Sequence, residues 1–331
     1  MESKSDKQFV EPLLKLLRKF QNNNRCLYPG CPKKPIGSHV IAESVLERLA
    51  DIEGKVLTWD VSYNEIVEST LQGHEWDHVY KQPRRVGIRQ EVTYPIFCRE
   101  HDNGIFAELE DTGFTFHPMQ VALLAYRALC YKTWNPHLEE MLEFFLSNKD
   151  AETVLQHQRI FSLKTMVEAR QKLEDILATQ DYGQLQWVPR ILHIDPCFAG
   201  TDAVISYHGE DDARSIGIGS NILSSEDVMT FSFFPDKNLN ASICVVTWFR
   251  GNKRALGFLE NLELDSPSED DIRQNIIHTA LRVSLVYASP MWWNTLSPEL
   301  QAHTSELQMS HIGPLTLRAP QSLMVGGFPP L

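Results

Sequence analysis

The chain has 331 residues, 43% of them hydrophobic and 22% charged. That is the balance of a folded protein long enough for two or three cores, and it excludes a disordered chain. The net charge of −12 at pH 7 argues against a uniformly basic nucleic-acid binder, but the charge is unevenly spread: residues 1–101 carry 15 basic and 14 acidic groups, and residues 102–331 carry 16 and 29. No apolar run approaches the roughly 18 residues of a membrane span, and the opening MESKSDKQF has no signal-peptide block, which predicts a cytoplasmic protein without membrane contact. In a reducing compartment the six cysteines read as thiols or metal ligands rather than disulfides.

In chain order, FVEPLLKLLRKF (9–20) spaces its leucines for a short amphipathic helix that stops at Asn22-Asn23-Asn24. Two cysteines follow in RCLYPGCPKK, and after a brief extended stretch AESVLERLA reads as a helix. VLTWDV and RRVGIRQEVTYPIFC alternate as strands do, and the polar, His-containing segment between them reads as an insertion. HDNGIFAELED begins a helix near Gly104, for which Asp102 is a natural N-cap. HPMQVALLAYRALCYKTW is a strong helix with Val121, Leu124, Ala125, Ala128 and Leu129 on its apolar face. PHLEEMLEFFLS and a long segment from 151 to 180 continue the helical middle; positions 163, 166, 167, 173, 176 and 177 form an apolar stripe suited to core packing or to pairing with another helix.

After Gly183, ILHIDP, AVISYHG, VMTFSFFP, SICVVTWFRG and ALGFLENLEL are short β-branched and aromatic runs between turns, predicting an antiparallel sheet with one covered face. A closing helix from Glu269 to Ala288 packs on it, and the proline-rich tail from Pro290 wraps the surface or is loosely ordered. GIGSN (217–221) lacks the remaining residues of a phosphate loop and reads as a hairpin turn.

The chemistry concentrates at two ligand pairs. Cys26-x4-Cys31, turned by Pro29 and Gly30, and Cys98-x2-His101, at a strand-to-helix junction, supply three thiols and one imidazole, the donor set of a closed structural zinc site. The separation of the pairs leaves open the alternative of buried cysteines and a capping histidine. Cys130, Cys197 and Cys244 lie in apolar contexts and read as core. Acid-free stretches at 12–42 and 78–90, with Lys15, Arg18, Lys19, Arg25, Lys33, Lys34 and then Lys81, Arg84, Arg85, Arg89, are either solvated basic faces or a surface for DNA or RNA.

This arrangement resembles the HNH (ββα-metal, treble-clef) nucleases over residues 22–134, on the cysteine knuckle, the following Ser38-His39, and the second pair with Asp102 behind it. SHVIAES with FCREHDNGIFAELE resembles more closely a group of uncharacterised bacterial proteins with Ser-His-x-Ile and Phe-Cys-x-x-His-Asp segments. The resemblance implies a metal-dependent endonuclease, a hydrolase of phosphodiester bonds acting as an effector of antiviral defence. His39 would be the general base, Asp102 would hold a catalytic Mg²⁺ or Mn²⁺, and Asn103 would orient the ion or the loop. Ser38 departs from the family, where that position is commonly acidic, and Asp77 or His78 would have to complete the ion's ligands.

The expectation is therefore an α+β chain: residues 1–115 an N-terminal zinc-bound ββα/treble-clef module with an insertion, 116–182 a helical segment, and 183–331 an antiparallel β-sheet domain with a packed helix and tail. The acidic C-terminal part would meet a protein partner. Two other readings stand beside the nuclease: a non-catalytic zinc-stabilised adaptor, and a sensor that binds a small ligand against the sheet.

Overall fold

A computed structural model of the chain describes residues 25–59, 82–89, 92–110, 113–134, 153–193, 197–205, 224–236, 238–252, 255–256, 259, 262, 268–281 and 285–309. The predicted helices at 9–20 and PHLEEMLEFFLS, the turn at 217–221, Asp77 and His78 lie outside them. In chain order the elements are β1 (Ser38–His39), α1 (Glu43–Leu49), β2 (Lys55–Thr58), β3 (Arg84–Gly87), β4 (Thr93–Tyr94), α2 (Arg99–Glu110), α3 (Pro118–Thr133) and α4 (Thr153–Thr179). They continue with β5 (Leu185–Leu192), β6 (Phe198–Ile205), β7 (Val228–Asp236), β8 (Ala241–Phe249), α5 (Glu269–Ala280), β9 (Leu285–Ala288), α6 (Pro290–Thr295) and α7 (Pro298–Met309).

Seven strands form one antiparallel sheet in the order β3-β2-β9-β6-β7-β8-β5. The mixed α+β class is as expected, but the sheet is built from both ends of the sequence. Strand β9 pairs with β6 on one side and with β2 on the other, at Leu57↔Ala288 and Thr58↔Tyr287, so the β2–β3 hairpin extends the C-terminal sheet.

Side-chain alternation sorts the strands onto two faces. Ala199, Ala203, Val228, Leu285 and Tyr287 face one core with Leu46 and Leu49 of α1, Tyr126 and Leu129 of α3, and Met166, Leu173 and Ile176 of α4. Met229, Phe231, Phe233, Cys244 and Val246 face the other, with Ile276 and Ala280 of α5, Trp292 of α6 and Leu307 of α7. Both faces are thus covered, where one had been expected. The reason is visible in β8, ASICVVTWF, buried at every position: a strand greasy on both sides belongs between two layers.

Three further expectations are corrected. The closing helix ends at Ala280, and Leu285–Ala288 is a central, fully buried strand, because LVYA is apolar at every position and has no polar side to offer water. The described residues within 255–264 are helical or in turns, not extended. The segment after Pro290 forms α6 and α7, α6 having its proline in the first turn, where a missing N–H costs nothing. The 163–177 stripe is spent inside the molecule: Met166, Leu173 and Ile176 are buried against α3 and the sheet, whereas position 163 lies outside the described side chains.

Helix α3 runs through the centre. His117 caps it by accepting from the Met119 N–H, Pro118 begins it, and nearly every position from Gln120 to Cys130 is buried. Its polar members are satisfied locally. Gln120 accepts from the N–H and hydroxyl of Thr115 and donates to the carbonyls of Glu108 and Gly113, which fixes the link between α2 and α3.

Candidate metal centre and adjoining residues

The chain entering from Arg25 makes a tight knuckle. Cys26 N–H donates to the Lys33 carbonyl at 2.9 Å, Cys31 N–H to the Tyr28 carbonyl at 3.1 Å, and Gly30 takes φ 71°, a conformation that costs other residues a Cβ clash. Two bonds, Leu27 N–H to Ile96 carbonyl at 2.9 Å and Ile36 N–H to Phe97 carbonyl at 2.7 Å, lay the knuckle against the segment leading into α2. Cys98 caps α2 with its carbonyl, which accepts from Asp102 N–H at 2.9 Å, so His101 projects from the first turn beside the Cys98 sulfur.

The four predicted ligand atoms come together within 4.8 Å of one another. His101 Nδ1 lies 3.3 Å from both Cys26 Sγ and Cys98 Sγ, and Cys31 Sγ lies 3.9 Å from Cys98 Sγ. A tetrahedral zinc ion with Zn–S bonds of about 2.3 Å sets its sulfurs about 3.8 Å apart, so the spacing and the donor set fit a structural ion. Burial pushes the metal-free Cys26 thiol up to about 11. Burial acts the same way on Cys98, but the His101 N–H and the neighbouring sulfurs outweigh it and hold that thiol below its usual value. Metal binding therefore displaces protons, and affinity rises with pH. Tyr28, 41% exposed, stacks on the His101 ring at 3.9 Å between centroids, and Lys33 pairs with Glu100 across the knuckle.

His39 and Asp102 are brought to one place by a two-stranded ribbon followed by a helix. Strands β1 and β4 pair antiparallel, with Ser38 opposite Tyr94 and His39 opposite Thr93, and α2 follows from Arg99. His39 Nε2 lies 2.7 Å from the Ile88 carbonyl, so Nε2 is a donor and, in the neutral ring, Nδ1 is the nitrogen left to accept. Asp102 is not an N-cap, because α2 begins at Arg99 rather than near Gly104; it sits in the helix's first turn, where the positive end of the dipole favours a carboxylate. Burial raises its pKa, opposed by a hydrogen bond with Ser38 and by the charges of Arg127 and His39. Asn103 is exposed on the same turn. Among the described residues, the Cys3His tetrad is the one group of three or more metal-ligating side chains.

Sequence reasoning did not find the contacts of Ser38 and missed Arg127. Ser38, 2% exposed, accepts from Phe97 N–H at 3.3 Å and also bonds Asp102, so the serine ties the ribbon to α2. Arg127, 4% exposed, reaches from α3 toward Asp102, pairs with Glu110 at 2.6 Å and lies 4.0 Å over the Phe106 ring. Its signal was a lone charge in VALLAYRALC, an otherwise apolar helix.

The predicted basic surface is largely neutralised where it is described. Arg85 bonds Asp51 and lies 3.3 Å from Glu53, Arg89 lies 3.6 Å from Glu43, and Lys33 meets Glu100, while Arg25 and Lys34 are exposed near the tetrad. No helix among the described residues is long and apolar enough to cross a membrane. Comparison with protein-family models, curated proteins and solved structures gives no match.

Proposed function

We propose that the ribbon, α2 and the metal tetrad form an HNH-like, treble-clef nuclease site that hydrolyses phosphodiester bonds in DNA or RNA, consistent with a defence effector. The observation that carries the reading is the meeting of His39, from the first strand of a ββα arrangement, with Asp102, from its helix, directly beside three thiols and an imidazole suited to zinc. The Ile88 carbonyl fixes the imidazole as the Nε2–H tautomer. His39 Nδ1 then accepts a proton from water as the water oxygen bonds to phosphorus, and the ester P–O bond breaks on the far side. Asp102 would hold a divalent Mg²⁺ or Mn²⁺, which supplies charge neutralisation at the phosphate and leaving oxygen. Arg25, Lys33 and Lys34 are exposed for backbone contacts, and the surface ion pair of Lys33 with Glu100 exchanges at little cost.

A second reading is favoured by a specific observation: among the described residues no third carboxylate or imidazole joins His39 and Asp102, and Asp102 is engaged by Ser38 and Arg127. That supports a zinc-stabilised adaptor in which the same groups only brace the ribbon. Plasmid DNA or RNA incubated with the protein and Mg²⁺ or Mn²⁺ separates the two. The nuclease reading expects metal-dependent nicking that His39→Ala abolishes; no nicking, or equal nicking by both proteins, overturns it.

A further inference from the structure

Beside the ribbon lies a cleft of about 70 Å³ that neither reading uses, walled by residues 40–42 after β1, by α1, the end of α2 and α3, and by the first half of β6 and the second half of β7. Its floor is open because the sheet presents small hydroxyl residues there: Thr201 and Ser232 face each other with their hydroxyl oxygens 3.0 Å apart. Val45, Leu109, Leu124 and Phe234 make the walls apolar.

Two arginines line this apolar setting. Arg48, half-buried on α1, has no ion-pair partner among the described residues. Arg127 forms part of the wall and is 4% exposed; Glu110 takes its Nη2, but its buried Nε has no hydrogen-bond partner. An unsatisfied N–H in a buried cation is costly, and an acceptor supplied by a ligand would relieve that cost. The acids of the cleft do not compete for that role. Asp236 is occupied by the N–H groups of Phe114, Asn238 and Leu239, and Glu110 is already paired.

We propose that this cleft binds a small amphipathic carboxylate, its head group between Arg48 and Arg127 and its hydrocarbon against the apolar walls. A monoanion is favoured over phosphate, because a dianion would sit beside two ionised acids with only two cations to offset them. The volume is about half that of a cavity that holds benzene, so the enclosed part takes the head group and a few carbons, and a longer chain lies in the mouth.

The test is calorimetric titration of the zinc-loaded full chain with acetate, butanoate, hexanoate, hexanol, hexylammonium and inorganic phosphate. Affinity is expected to rise from acetate to hexanoate, with hexanol, hexylammonium and phosphate at least about tenfold weaker than hexanoate, the scale of one charged hydrogen bond. Arg48→Gln should weaken hexanoate about tenfold without moving the melting temperature of the free protein, since its side chain is half-exposed. Val45→Trp, which puts a large ring into the cleft from a partly buried helix position, should abolish binding while zinc content and circular dichroism are kept. Equal binding of hexanol and hexanoate, tighter binding of phosphate, no binding of any probe, or hexanoate binding unchanged in both variants overturns the proposal. None of these readouts depends on nuclease activity, so the two proposals fail separately.

Discussion

If the tetrad holds a metal ion, removing that tie is the sharpest perturbation of this fold. Cys31 and Cys98 are 67 residues apart, and holding them together closes the loop that contains β1, α1, β2, β3 and β4. Treated as a covalent cross-link of that span, the tie is worth about 4 kcal/mol of loop entropy. Without an ion the same side chains offer only thiol contacts, and a native domain has roughly 5–15 kcal/mol in all. Cys31→Ala isolates the effect, because Cys31 is only partly buried and its packing loss is about 1 kcal/mol at most. Chemical unfolding followed by circular dichroism, with metal content measured on the same samples, should show about one zinc ion per chain. Chelation should lower stability by about 4 kcal/mol, and Cys31→Ala should produce the same loss with no further effect of chelator. Cys130→Ala and Cys244→Ala should keep the metal, since both are buried in the two cores and neither belongs to the tetrad. A native protein without zinc, or an unfolding midpoint that chelator leaves in place, would refute the reasoning.

Other outcomes follow from the packing. Burial raises the Glu174 pKa above its ordinary 4.5 despite Arg170 and Tyr126, so the native state keeps that proton longer than the unfolded chain. Its contribution is therefore complete below pH 4.5 and is lost as pH rises through the raised value; Glu174→Gln should flatten that descent in a pH series of melting temperatures. A Cβ at Gly37 would lie 2.6 Å from Thr93 Oγ1, so Gly37→Ala should destabilise the β1–β4 ribbon by about 1–3 kcal/mol, measured by denaturant midpoint and eased by Thr93→Gly. Phe231→Ala, in the core between sheet and α5–α7, should cost about 3–5 kcal/mol in the same assay.

What the sequence makes legible depends on range. The knuckle could be read because its cause is local: Pro29 and Gly30 turn the chain, and two cysteines with four residues between them need a shared partner. Helix α3 was equally plain, since VALLAYRALC carries its own periodicity and His117-Pro118 its own start. By contrast β9 looked like the end of a helix, because LVYA has no alternation to mark it; only its neighbours β2 and β6, 228 and roughly 85 residues distant, make it a strand. The same non-locality hid the second covered face and the role of Arg127, whose partner Glu110 lies on another helix.

That non-local construction bears on how the two candidate sites communicate. Arg127 contributes to the cleft wall and also acts electrostatically on Asp102, while Ser38 joins Asp102 to the ribbon. An anion held by Arg127 draws on the same charge that acts on Asp102, so a ligand in the cleft should be felt at the ribbon. If the nuclease reading holds, hexanoate should then change the rate of metal-dependent nicking at fixed pH in the wild type, and leave it in place in Val45→Trp, whose filled cleft excludes the ligand. A rate that changes equally in both proteins would mean that the ligand acts elsewhere and that Arg127 does not link the sites.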